Sequence, residues 1–355
     1  MENRLKSLRT ELKERELDAI LVTSPTNRRY LTGFTGSAGS VLVTADAAML
    51  ITDFRYIEQA TVQAPLYRIV KHLGLSHEKI AELLLESNIK SLAFEEEDIT
   101  YKKYSGFVEA FTKCKLVATN SIVENLRIVK DENEVVIIKR AIEIAEQAFT
   151  RLLPEIKPGI SEKQLAINLE NYMRELGADG ASFTIIIASG ERSSLPHGTA
   201  SDKLLASGEL VTFDFGAIYQ GYISDITRTV AVGEIAAKQK EIYNIVLEAQ
   251  LNALANIKPG MTGREADSFT RDVIEQYGYG EYYGHGTGHG IGMDVHEAPT
   301  ISQRGETVLK PGMIITVEPG IYLPGVAGVR IEDDVLITKD GVSVLTQLPK
   351  DLLIL

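Results

Sequence analysis

The chain has 355 residues, beyond the roughly 250–300 at which a single hydrophobic core stops growing, so two domains are expected. Hydrophobic residues make up 44% and charged residues 24%, the balance of an ordinary globular protein, and a formal net charge of −12 argues against a nucleic-acid partner, whose phosphates need clustered Lys and Arg. No apolar run approaches the roughly 18 residues of a membrane span, and the single cysteine, Cys114, leaves no internal disulfide and fits a reducing, cytoplasmic setting.

The opening segment "MENRLKSLRTELKEREL" is charged throughout and carries Leu5, Leu8 and Leu12 at helical spacing, which predicts an amphipathic helix and not a signal peptide. The apolar stretches "DAILVT", "AGSVLVTADAAMLITD" and "SLAFEE", with the helix-like "HEKIAELLLESN" before the last, predict a small α/β domain built on a sheet. His72 and His77 fall in this part, match no motif and read as solvent-facing. Near residue 127 the pattern changes to the long helical period of "LRIVKDENEVVIIKRAIEIAEQAFTRLLPEIKPG", which sets the expected domains at 1–127 and 128–355.

The second part contains an internal repeat. "IKPG" occurs at Ile156–Gly159 and again at Ile257–Gly260, an offset of 101 that also matches Ser161 with Thr262 as helix N-caps and Gly177 with Gly278 just past the next helix. "GELVTFDFG" aligns with "GMIITVEPG" at an offset of 104. Two copies are too few for a solenoid, and a duplicated helix–helix–sheet half about a pseudo-twofold axis is the better reading.

Within the first copy, "VTFDFGAIYQGYISDITRTVAV" predicts a β-hairpin. A turn centred on Tyr219 and Gln220 would set Asp214 directly against Asp225, with Cβ atoms about 4.5–5.5 Å apart, where like charges repel. In the second copy Glu318 aligns with Asp214, and "ITVEPGIYLPGVAGVRIEDDVLI" returns to place Glu332 against Glu318. Carboxylates so gathered on apolar strands must take up protons or bind cations, and two divalent ions would balance four negative charges. The plain alternative is four solvent-facing acids paired with neighbours such as Arg228 and Arg330, which does not explain their equivalent positions in two repeats.

"GHGTGHGIGMDVHEAP", Gly284–Pro299, holds His285, His289 and His296 on a backbone with little side chain to pack. The run matches no GxGxxG and no phosphate-loop Lys-Ser/Thr, so phosphate binding is set aside. An imidazole completing the carboxylate site accounts for it, with the glycines expected to let backbone and substrate approach closely.

"PHGTASDKLLASGELVTFDFG", "SDITRT", "GHGTGHGIGMDVHEAP", "ITVEPGIY" and "GVRIEDD" resemble, in order and spacing, the signatures of the pita-bread metallopeptidases, in particular the proline-specific branch of aminopeptidase P and prolidase. The N-terminal "NRRYLTGFTGSAG" and "ITDFRYIEQA" are similar to short bacterial aminopeptidase P-like members, so the resemblance spans nearly the whole chain. It implies an α/β (α+β) architecture, a small N-terminal domain before a pita-bread domain of two pseudo-twofold-related halves. It further implies that Asp214 binds one of two divalent ions, that Asp225 and Glu332 bridge both, and that His289 and Glu318 bind the other. Manganese is favoured over cobalt or zinc for so oxygen-rich a set. A water between the ions is the implied nucleophile, Glu318 the proton shuttle, and His197, His285 and His296 the substrate-side residues. Arg330 would orient the adjacent carboxylates, and Tyr322 would add a hydroxyl to the same surroundings.

The activity so implied is removal of an N-terminal residue that precedes proline, in a cytoplasmic homodimer acting on peptides. Aminopeptidase P is the expected type, on the N-terminal motifs, and an Xaa-Pro dipeptidase is the alternative. A methionine aminopeptidase is disfavoured by the N-terminal domain and the "RIEDD" ending, and a non-catalytic binding module or a metal-free hydrolase like creatinase by the complete ligand set.

Overall fold

A computed structural model describes residues 1–355. The chain forms two compact units, Met1–Arg127 and Ile128–Leu355. No helix is long and apolar enough to cross a membrane.

The first unit is built on a six-stranded mixed sheet. Its hairpin Ser40–Thr44 and Ala48–Thr52 pairs antiparallel, and the wholly buried strand Ala19–Val22 lies between Ser40–Thr44 and the parallel strand Ser91–Glu95. The helix Glu2–Glu14 buries Leu5, Leu8 and Leu12, as their spacing predicts, and Ser76–Glu86 buries Ile80, Leu83 and Leu84. His72 and His77 are half-buried rather than fully solvent-facing.

The repeat is visible in the second unit as two helix pairs, each packed on strands of its own half. Glu132–Leu152 is followed by Glu162–Glu175, and Ala237–Asn256 by Gly263–Gln276. Ser161 caps the second helix of the first pair by accepting from the Gln164 N–H, and Thr262 does the same with Glu265. Gly177 and Gly278 follow these helices with φ of 103° and 79°, a conformation in which a Cβ would be strained although nothing crowds the position. In the first half Phe149 of the long helix stacks on Phe215 and meets Phe213 edge-on. In the second half Ala253 and Ala266 pack on Ile301, Ile315, Val317 and Val335. The molecule is thus a mixed α/β protein whose C-terminal unit has the duplicated pita-bread architecture.

One expected register is corrected. The hairpin pairs Ile218 with Ile223 and Tyr219 with Tyr222, so its turn is centred on Gln220 and Gly221, with φ of 50° and 81°. A tight two-residue turn of this hand needs two left-handed residues, which Gly221 meets and the aromatic Tyr219 would not. Asp214 therefore faces Thr227, not Asp225. The side-chain period of two keeps Asp225 on the same face as Thr227, so the two aspartates remain diagonal neighbours. In the other half, Val317 pairs with Asp333 and Gly320 with Arg330, one register that sets Glu318 against Glu332 as expected.

Gly216 sits where the hairpin crosses Asp225, and a Cβ there would stand 1.8 Å from the Ser224 carbonyl and 2.4 Å from the Ser182 hydroxyl. Gly216→Ala should cost about 1–3 kcal/mol of stability through overpacking. Denaturant unfolding checks this, and an unshifted midpoint would show that the crossing can open.

Candidate metal centre

His289 lies in the short strand Gly288–Gly290, between Glu297–Ile301 and Ile314–Val317. The surrounding glycines answer to these neighbours. A Cβ on Gly288 would meet the Thr316 carbonyl at 2.1 Å, one on Gly290 the Ala298 carbonyl at 2.2 Å, and one on Gly286 the Ile301 carbonyl at 2.6 Å. None of the three has a left-handed backbone. The expected close approach of backbone is found at these three positions, whereas the expected room for substrate is not: the space is taken by adjacent strands, which hold His289 in the sheet.

Ligand atoms of Asp225, His289 and Glu332 lie within 4.8 Å of one another. His289 Nδ1 faces the Gly290 carbonyl at 3.1 Å, which can only accept, so the proton sits on Nδ1 and Nε2 is directed at Glu318 Oε1 (3.3 Å) and Asp225 Oδ2 (3.8 Å). A nitrogen lone pair aimed between two carboxylates needs a positive charge there, as a second proton or a cation. Burial alone would lower the pKa of His289, but the hydrogen bond and charge of Glu318 more than offset it and raise it. Burial likewise opposes ionisation of Glu318, and His289 outweighs it, holding Glu318 down to about 2.

Asp225 and Glu332 have no such relief. Burial, and after it the charge of Glu332, pushes Asp225 well above the usual carboxylate range. Burial, and after it the charges of Glu318 and Asp214, does the same to Glu332. Asp214 is raised by burial despite the opposing charge of Arg330. Asp214 Oδ1 and Asp225 Oδ1 are buried with no hydrogen-bond partner. Orphaned anionic oxygens, mutual repulsion and one aimed imidazole nitrogen fit divalent cations, and Asp214, Asp225, His289, Glu318 and Glu332 are the residues able to hold them.

Around them runs a layer of hydrogen bonds. Thr227 Oγ1 donates to Glu332 Oε2 at 2.6 Å and accepts from Arg330 Nε at 3.0 Å. Arg330 also donates to Asp214 Oδ2, to the Tyr322 hydroxyl at 3.0 Å and to the Pro196 carbonyl at 3.1 Å. Thr316 Oγ1 donates to Glu318 at 3.1 Å and accepts the His289 N–H at 3.1 Å. The Asp225 N–H donates to Asp334 Oδ2 at 3.1 Å. Arg228 points to the opposite face and pairs with Asp333, so only Arg330 of the two arginines meets the four acids. The four are largely buried, which removes the solvent-facing alternative.

Of the remaining expected residues, His296 is exposed, with its ring 4.4 Å from that of His289. His197 is exposed as well. His285 has both ring nitrogens engaged inside the protein: Nδ1 with the Gly286 carbonyl at 2.7 Å, and Nε2 with the Tyr322 hydroxyl at 2.8 Å. The carbonyl fixes the proton on Nδ1, so Tyr322 donates to Nε2. Thr227 and Thr316 escape a search for titratable groups. Their signal was present nonetheless, two residues from Asp225 and from Glu318, hence on the same strand faces.

Residues 136–339 match the profile described as metallopeptidase family M24, and residues 4–129 that of the creatinase/prolidase N-terminal domain. A solved Xaa-Pro dipeptidase from Bacillus anthracis is 52% identical, with 99% of each chain covered and a TM-score of 0.98. The Xaa-Pro dipeptidase of Pyrococcus furiosus is 42% identical over 99% of this chain and 100% of its own. A solved X-Pro aminopeptidase from Thermotoga maritima is 41% identical, covering 96% of this chain and 98% of that one, with a TM-score of 0.91.

Thr227→Val keeps the shape of the side chain while removing the hydroxyl between Glu332 and Arg330. Loss of such an outer hydrogen bond typically costs 10–100-fold in metal affinity, and about that loss is expected by calorimetric titration of the metal. Unchanged affinity would show that Thr227 does not orient Glu332.

Proposed function

This chain belongs to metallopeptidase family M24, and from that premise we propose that it is an Xaa-Pro dipeptidase working with two divalent ions. The observation that carries the reading is the convergence of Asp225, His289 and Glu332 ligand atoms within 4.8 Å, beside buried acid oxygens that lack any partner. Dipeptides are preferred to longer peptides on the strength of the relatives named Xaa-Pro dipeptidase, one of them 52% identical to this chain. They favour the dipeptidase alternative over aminopeptidase P, the type expected from the N-terminal motifs.

Asp214 would hold one ion, His289 and Glu318 the other, and Asp225 and Glu332 both, with manganese favoured by the oxygen-rich set. When bound, the ions supply Lewis-acid polarisation of the scissile carbonyl and bring the pKa of a water toward neutrality. The chain's own residues do the rest. Glu318, ionised and steadied by Thr316, would accept the proton of the attacking water and pass it to the leaving imide nitrogen. The exposed imidazoles of His197 and His296 would contact the substrate and its developing oxyanion. His285 would act at one remove, by fixing the Tyr322 hydroxyl that Arg330 also holds.

With manganese added, kcat/KM for an Xaa-Pro dipeptide should exceed that for the matching Xaa-Pro-Xaa tripeptide, and a dipeptide without proline should be a poor substrate. A tripeptide cleaved as well or better would restore the aminopeptidase reading. Glu318→Gln should fold normally yet lower kcat by about 10²–10⁴-fold, the usual worth of a general acid–base. Activity within a few-fold of wild type would remove Glu318 from the proton path.

A further inference from the structure

Both ends of the segment that carries His197 meet at one buried carboxylate. Glu162, the first residue of the helix Glu162–Glu175, is 0% exposed. Its Oε1 accepts the N–H and the hydroxyl of Ser189, each at 2.8 Å. Its Oε2 accepts the N–H of Ser201 at 3.0 Å, the hydroxyl of Ser201 at 2.7 Å and a guanidinium N–H of Arg192. The other terminal nitrogen of Arg192 donates to the Thr199 carbonyl at 2.8 Å. Capping the helix does not explain this set, since Ser161 already accepts from Gln164 as the N-cap.

The segment is tied at its far end as well. The Pro196 carbonyl, next to His197, accepts from Arg330 at 3.1 Å, and the Gly328 N–H donates to the Ser193 hydroxyl at 2.7 Å. A Cβ on Gly328 would lie 2.0 Å from the Ser193 carbonyl, so contact between segment and strand is close.

The same construction recurs under the other two histidines expected on the substrate side. Asp267, 1% exposed, accepts the N–H of Thr287 at 2.9 Å and pairs with Arg271, which donates to the His285 carbonyl at 2.8 Å. Glu297 pairs with the buried Lys130 at 3.2 Å and accepts the N–H groups of Met293 and Asp294, closing the turn that leads to His296. His289, which faces the ligand set, is placed by its strand instead.

We propose that Glu162 is a positioning residue for His197: it closes the Ser189–Ser201 segment at its base so that an exposed imidazole keeps a fixed place next to the Pro196 carbonyl that Arg330 holds. The inference rests on the peptidase reading given above. Charge-assisted hydrogen bonds from both ends of the segment to one rigid helix residue supply the restraint that the side chain of His197, exposed to solvent, cannot supply for itself.

The test is a double-mutant cycle in the full, manganese-loaded chain. Glu162→Gln and Ser201→Ala are each made alone and with His197→Ala, and metal content, kcat and KM for an Xaa-Pro dipeptide, and amide exchange across 189–201 are measured. Glu162→Gln should leave metal content unchanged, speed exchange across the segment and lower kcat/KM by about 10–10²-fold, the scale of an ångström of misplacement. On the His197→Ala background the same change should cost little further, because the two act as a unit. Equal losses on both backgrounds, a wild-type rate in His197→Ala, or loss of metal from Glu162→Gln would overturn the proposal. If Glu162→Gln does not fold, Ser201→Ala, which deletes a single hydroxyl, is read through the same cycle with a few-fold loss expected. A wild-type chain that fails to cleave the dipeptide would count against the peptidase reading, and unchanged exchange across 189–201 would then by itself sink the anchor.

Discussion

Four carboxylates and an imidazole are held in one largely buried space, and most of the second unit is arranged around the cost of doing so. Burial disfavours the charge on each acid, and each charge disfavours the next, which is why Asp225 and Glu332 are driven well above the ordinary carboxylate range. Arg330 is the one arginine brought against them, and it is paired with Asp214. The remainder must be supplied by protons or by cations.

The fold meets this demand by making the acid-bearing strands unable to move apart. Thr227 bridges Glu332 and Arg330, Thr316 bridges His289 and Glu318, and Asp334 holds the backbone of Asp225. On the reverse side, Arg228 donates to the main chain of Thr227 and Glu332 while paired with Asp333. Glycines at 286, 288 and 290 let backbones come within distances no side chain would tolerate. Rigidity of this kind keeps like charges together, and the Gly290 carbonyl fixes the tautomer of His289 so that Nε2 is presented to Glu318 and Asp225.

A division of labour follows between sheet and loops. The residues able to bind metal lie on strands or directly beside them, where register sets their spacing: Asp214, Asp225, His289, Glu318 and Glu332. His197 and His296, both exposed, lie outside strands, on segments tied by Glu162 with Arg192 and by Glu297 with Lys130. The candidate metal ligands and the exposed histidines thus have different means of support within one duplicated scaffold.

The sequence by itself determined whatever depends on local period and on like residues at fixed offsets. The helix at Leu5, Leu8 and Leu12, the paired N-caps Ser161 and Thr262, the left-handed Gly177 and Gly278, and the opposed Glu318 and Glu332 were all legible, because each follows from short-range geometry applied to one copy or to both. The partners of Asp214 and Asp225 were not. A hairpin turn displaced by one residue moves every cross-strand pair, and the choice rested on which two residues could adopt a left-handed backbone. The use of the glycines at 286, 288 and 290, the capture of both nitrogens of His285, and the five donors on Glu162 were decided only by tertiary structure. Each is a contact between segments distant in the chain, and neither residue type nor spacing carries the direction in which a side chain or a carbonyl finally points.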